Sequence, residues 1–296
     1  MKLSCDCIHC IFGKANELYA RSVANETKRV RFMKETMRIV ADAAEDVPIP
    51  YLTYLVMTHL HNETRVDDYY TDEKTTFNNL MLSVEDSVMA KISASADPLL
   101  SALRYAITGN MIDFGALKTV SKTDVLATLD GCGKTALDAD TCDAFRRDLE
   151  NAKTLAYLAD NAGEIVMDKL FVQVLQKLYP RLSIRFFVRG NPTLNDATVQ
   201  DAQEVGLTAI TDVYTNGLAM PGTCLDYMEE DMARLVRESD VIISKGQGNF
   251  ESLNGSGLNI YYLLLCKCGH FARRFGMESM QPVFIHEKDV RDLLSP

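Results

Sequence analysis

The chain has 296 residues, 47% of them hydrophobic, enough core for one large domain or two moderate ones, which excludes wholesale disorder. With 41 acidic against 31 basic side chains the net charge is −10, so no broad basic field is available for nucleic acid or an anionic membrane surface. The opening MKLSCDCIHCIFGKANEL is interrupted by Asp6, His9 and Lys14, unlike a secretory signal, and no run reaches the ~18 apolar residues of a membrane helix. A cytoplasmic protein without nucleic-acid or membrane partners is expected. Its eight cysteines, Cys5, Cys7, Cys10, Cys132, Cys142, Cys224, Cys266 and Cys268, then read as thiols or metal ligands rather than a disulfide framework.

From about residue 14 to 150 the pattern is helical. GKANELYARSVANETKRVRFMKETMRIVADAAEDV carries helix-spaced apolar residues with a charged outer face, and Pro48-Ile49-Pro50 punctuates it. PYLTYLVMTHLHNETRV and KTTFNNLMLSVEDSVMAKISAS continue the pattern, and DPLLSALRYAITGNMIDFG reads as a helix closing on Gly109-Asn110. Tyr69-Tyr70 beside Asp67-Asp68 reads as a surface loop.

After residue 150 short apolar runs alternate with helices. Leu155 to Ala159 is a buried strand, followed by a polar turn and an amphipathic helix opening at Glu164. SIRFFV is a second strand, TAITDVYT a weaker one, and DVIISKG another buried one. Helices are expected from about Asn195 to Val205 and from Leu225 to Arg237. PVFIHE is a further strand candidate, as is NIYYLLLC, which equally fits a buried helix. Strands alternating with helices imply a mostly parallel sheet. The expected fold is α/β: a helical domain (1–150) contributing to a substrate pocket, then a Rossmann-like domain (151–296) carrying the chemistry.

Three strands end in polar, glycine-bearing turns: Asp160-Asn161-Ala162-Gly163, Arg189-Gly190-Asn191-Pro192, and Ser244-Lys245-Gly246. If those strands are neighbours, the turns face one crevice, where ligands of open α/β sheets collect. Asp160, Asn161 and Asp196 would form an all-oxygen site for a hard divalent ion such as Mg²⁺ or Mn²⁺. Lys245 is placed like a phosphate-binding lysine, and Glu164, Arg189, Gly190, Asn195 and Gly246 are expected to contact substrate. Each turn also has a plainer reading: Asp160-Asn161 and Asn195-Asp196 are good helix caps, and Lys245-Gly246 is a commonplace turn.

DNAGEIVMDKL, GNPTLNDATVQDA, VIISKGQGNFESL and GNMIDFG together resemble the damage-control phosphatase family, formerly domain of unknown function 89, in the right order over nearly the whole chain. The early Cys-x-x-Cys is similar to that of one branch. The resemblance implies a phosphatase that uses Mn, Ni, Co or Mg to hydrolyse phosphorylated small metabolites such as sugar phosphates. It implies metal at Asp160, Asn161 and Asp196, phosphate contact by Lys245, and pocket roles for Asn110 and Asp113. One departure is Arg189-Gly190, where a lysine–glycine form is expected; arginine keeps the charge.

Cys7, Cys10 and Cys268 with one further ligand are a candidate zinc or redox site. No Gly-x-Gly-x-x-Gly turn or Gly-x-x-x-x-Gly-Lys-Ser/Thr loop occurs, which argues against a dehydrogenase or a P-loop enzyme. The alternatives kept open are an S-adenosylmethionine-dependent carboxyl methyltransferase and a non-catalytic metabolite-binding protein.

Overall fold

The computed structural model of the chain describes residues 3–110, 123, 127, 129, 131, 136–278 and 281–291. The first helical stretch breaks in two, α1 (Cys5–Ser22) and α2 (Glu26–Asp42). The break follows from local chemistry: Asn25 accepts the Lys28 N–H at 2.9 Å and caps α2. Such a cap contributes about 1 kcal/mol, enough to start a new helix within an otherwise helical pattern. Next come α3 (Ile49–Thr64), α4 (Thr71–Leu82), α5 (Glu85–Ala94) and α6 (Pro98–Gly109). The stretch 74–95, which reads as one helix, is divided between α4 and α5 at Ser83-Val84. Asp97 caps α6 by accepting the Leu100 N–H at 3.1 Å, and Pro98 opens it. Asp138 caps α7 (Ala139–Asn151) in the same way.

The second half alternates as expected. Strands β1 (Thr154–Leu158), β2 (Ser183–Val188), β3 (Asp212–Thr215), β4 (Val241–Lys245), β5 (Ile260–Leu265) and β6 (Pro282–His286) form one sheet in the order β3-β2-β1-β4-β5-β6. The first five are parallel and β6 pairs antiparallel with β5. NIYYLLLC is therefore strand, buried at every position of β5. Between the strands lie α8 (Glu164–Leu178), α9 (Val199–Glu204), α10 (Glu230–Arg237), α11 (Gly246–Leu253) and α12 (Gly269–Phe275). The helices expected over 195–205 and 225–237 are both shorter, because residues 195–197 pair with the turn after β1, Thr198 bridges Arg189 after β2, and 225–227 form a 3-10 turn.

The core does not part at residue 150. Phe77, Leu103, Ile107 and Phe145 from the helical half share one apolar cluster with Tyr157, Phe171 and Phe186. Helices α4 to α6 thus pack directly against α8 and the sheet, which brings the C-terminal end of α6 and Asn78 of α4 to the turn after β1. A separate cluster, with Leu18, Phe32, Leu52 and Val56, holds α1 to α3 together above that edge.

Candidate active site

The strand order reverses between β1 and β4, so the turns after these two strands flank the crevice of the sheet. The turn after β1 is held from outside. Gly163 has φ 75°, a side chain there would enter the Phe77 ring, and its N–H donates to Asn78 Oδ1 at 2.6 Å. Neither acidic pair is a cap: Gly163 occupies the N-cap of α8, and Thr198 caps α9 in a capping box with Asp201.

What these pairs do is meet each other. An isolated bridge joins Asn161 to Asp196, with Ala162 N–H donating to Asn195 O at 3.0 Å and Ala197 N–H to Asp160 O at 2.8 Å. Arg189 stands between the carboxylates. Its Nε donates to Asp196 Oδ2 at 2.6 Å, and its Nη2 lies 3.8 Å from Asp160 Oδ1. Its Nη1 donates to Asn249 Oδ1 at 3.1 Å. Asn249 in turn donates to Ala159 O and Lys245 O, tying the ends of β1 and β4 together.

Below this layer lies a dry one. Lys245 is fully buried, and its three N–H donors go to Ala106 O at 2.8 Å, Asp168 Oδ1 at 2.6 Å and Glu164 Oε1. Asp168 also accepts from the Tyr157 hydroxyl at 2.6 Å, leaving its Oδ2 without a partner among the described residues. The second oxygen of Glu164 accepts from Asn110 at 2.7 Å and Asn161 at 3.2 Å, and Asp160 Oδ2 accepts from the same two amides. The Asn161 side-chain nitrogen therefore faces carboxylates, and its side-chain oxygen Oδ1 accepts no hydrogen bond among the described residues.

Four carboxylates, Asp160, Glu164, Asp168 and Asp196, face two cations, Arg189 and Lys245, a formal excess of two negative charges. The excess registers in the acidities. Burial, reinforced by Glu164 and Asp196, raises Asp160 to about 7, with Arg189 and Lys267 pulling the other way. Burial raises Asp168 to about 6 against the pull of Lys245, and it raises Asp196 as well. Two carboxylates, one amide oxygen and two uncompensated charges fit a hard divalent cation.

Above the floor opens a cavity of about 1060 Å³. Asn110, Asp160, Asn161, Asn195 and Asp196 line it on the sheet side, and Lys14, Arg21 and Lys267 bring cations to its walls. Lys14 bonds Glu17 and the Tyr70 hydroxyl, and Arg21 bonds Glu17. Lys267, exposed at the end of β5, has no hydrogen bond or ion pair among the described residues.

The sequence model of the damage-control phosphatase ARMT1-like domain matches residues 3–283. The chain belongs to this family. An uncharacterised protein of Methanocaldococcus jannaschii is 30% identical over 289 residues, 94% of this chain and 93% of its own. A protein of Archaeoglobus fulgidus named damage-control phosphatase is 28% identical, covering 94% of this chain and 96% of its own. One of Pyrococcus horikoshii, likewise named, is 26% identical over 92% of this chain and 94% of its own. A crystal structure of a DUF89 family protein from Pyrococcus horikoshii superposes with a TM-score of 0.87 over 97% of this chain and 99% of that one, at 24% identity, and has the same fold.

Within this family fold the expected site residues divide into two layers. Asp160, Asn161, Asp196, Asn110 and Asn195 come together at the cavity. Glu164, Arg189 and Lys245, expected to touch substrate, lie beneath it at 1%, 2% and 0% exposure. Lys245 has no donor left for a phosphate, because the two acids of α8 and a carbonyl of α6 take all three. Gly246 makes room for the Asp160 carboxylate, which a side chain there would strike, and Gly190 packs against Gly217-Leu218. Asp113 lies outside the described residues. Cys7, Cys10 and Cys268 all line the cavity, but among the described residues no three His, Cys, Asp or Glu side chains converge to hold a metal. Tyr69 and Tyr70 lie in a loop, as expected, and both are part-buried against the cluster of α1 to α3. Reading the sequence missed Asn78, Asp168, Asn249 and Lys267. Asp168 stands four residues after Glu164 on the same face of α8, and Asn249 stands four residues after Lys245, whose carbonyl it bonds from the first turn of α11.

Proposed function

We propose that the chain is a divalent-metal-dependent phosphatase of small phosphorylated metabolites, sugar phosphates or related compounds. The observation that carries this is the meeting of Asp160, Asn161 and Asp196 at the cavity floor, within a group of four buried carboxylates that faces only two cations. The phosphatase names of the relatives from Archaeoglobus fulgidus and Pyrococcus horikoshii support the same reading and do not favour a methyltransferase. The expected Mn, Ni, Co or Mg would be held by Asp160, Asn161 and Asp196. When bound, such an ion supplies Lewis acidity toward a phosphoryl oxygen and the attacking water.

The chain's own residues would do the rest. Asp160, 14% exposed at the cavity, is placed to orient the water. Arg189 keeps the two carboxylates apart and fixed, so the metal-binding geometry exists before substrate arrives. Lys267 is the cation free to meet the ester, since its charge already acts on Asp160. The N-terminus of α11, with Gln247 and Gly248 on the cavity wall, presents backbone N–H groups to an anion.

The test is to strip metal with chelator and assay phosphate release from a sugar-phosphate panel with Mn²⁺, Co²⁺, Ni²⁺ or Mg²⁺ restored. Metal-dependent release, reduced on the order of a thousandfold in Asp160→Ala with cooperative unfolding retained, is the expected result. Binding of S-adenosylmethionine without any phosphate release would refute it.

A further inference from the structure

The cavity does not end at the carboxylates. A second chamber of about 470 Å³ adjoins it, and Met57, Tyr70 and Leu194 line both. Tyr54 and Tyr69 wall the chamber on one side, and Thr193, Leu218 and Ala219 on the other. Of its two acidic groups, Asp68 is engaged with Lys74 and the Tyr70 N–H, and the Asp67 side chain is turned out to solvent, 90% exposed.

Leu194 is the partition. It has φ 46°, and with Arg65 it is one of two non-glycine residues at positive φ among the described residues. Leucine rarely adopts this conformation. The loop imposes it from both sides: Asp196 N–H donates to Thr193 O at 3.1 Å, and Ala162 N–H to Asn195 O at 3.0 Å. The hydrogen bonds that hold Asp196 at the floor therefore also hold the Leu194 side chain between the chambers. Backbone strain of this kind persists where surrounding structure over-determines it, and here it falls on a residue that lines both chambers. Beside it Thr193 is 4% exposed, and its hydroxyl has no partner among the described residues.

We propose that this chamber receives the far end of the alcohol portion of the phosphate ester, and that Leu194 selects alcohols carrying an apolar or aromatic group a few bonds from phosphorus. This rests on the phosphatase reading. Tyrosine rings, a flexible methionine and leucines offer contact to a ring or alkyl group, which a small sugar cannot use. Leu194 precedes Asp196 by two residues, at most about 7 Å of chain, so a linker of a few carbons spans the gap. The Thr193 hydroxyl is available to one polar atom on that group.

The experiment titrates butylphosphonate and 4-phenylbutylphosphonate calorimetrically into manganese-loaded protein, so that no turnover is needed. The expected result is 4-phenylbutylphosphonate binding about tenfold tighter, the gain of burying one ring. Ala219→Trp, which fills the chamber, and Leu194→Gly, which removes the partition, should each bring the ratio below about threefold. The second variant keeps the test decisive if the first does not fold. Equal affinities in the unaltered protein, or a ratio unmoved by both variants, overturn the chamber while leaving the phosphatase reading standing. Failure of both phosphonates to bind overturns both.

Discussion

The floor of the cavity and its wall are built from opposite materials. At and beneath the floor, Glu164, Asp168, Arg189 and Lys245 are almost wholly excluded from water, Lys245 held by the two acids and Arg189 by Asp196 and Asn249. On the wall, Lys14, Arg21 and Lys267 are partly or fully exposed, and the first two share a single glutamate. A dry ion lattice is costly to disturb and fixes geometry, whereas solvated charges rearrange at little cost. On the proposed reading, the floor sets what chemistry can occur and the wall meets the arriving ester.

Breaking the floor should have the largest consequence. Lys245→Met leaves Glu164 and Asp168 buried without their cation and should cost about 3–5 kcal/mol in denaturant unfolding, if the protein folds at all. A loss below about 1 kcal/mol would mean that water reaches these groups. Glu164→Gln is subtler. It keeps the shape but weakens the grip on the Asn110 and Asn161 amides, so divalent-ion affinity should fall about 10- to 100-fold by titration.

The legibility of the sequence follows the same division. Strand runs such as Leu155–Ala159 and Val241–Lys245 are buried on both faces, and the alternation with helices gave the layered fold directly. Asp160 and Asn161 were legible because they follow a strand end beside glycine, and Asp196 because it stands in the polar segment that follows β2. The orientation of Lys245 was not, since a lysine in a glycine turn reads the same whether it faces a ligand or two acids of the next helix over. Asp168 and Asn249 act through contacts at long range in the chain, 77 residues for Asp168–Lys245 and 60 for Arg189–Asn249. The break at Asn25 was hidden by the helical composition on both sides.

A third prediction sharpens the electrostatic contrast. Asp160 at about 7 and Asp168 at about 6 lie above the ~4 of an unfolded chain, so the folded state keeps protons that the unfolded state releases. These groups make metal-free protein lose stability as pH rises from about 4 to about 7. A divalent ion favours the charged forms, so the rise in Tm on adding Mn²⁺ should be larger at pH 8 than at pH 5. An equal rise at both would count against the charge excess.

The smallest effect belongs to the wall. Lys267→Ala should raise KM about tenfold with kcat less affected and Tm unchanged, because the side chain is exposed and holds nothing else. A loss confined to kcat would place Lys267 in the reacting geometry rather than in capture.

The central claim is that two loops, laced by the Asn161–Asp196 bridge, present their carboxylates and one amide oxygen to a single cation. Calorimetric titration of Mn²⁺ into chelator-stripped protein tests it most directly. The account predicts one ion per chain, with binding lost in both Asp160→Asn and Asp196→Asn while each variant still unfolds cooperatively. Unaltered binding in both variants, or none in the starting protein, would contradict it.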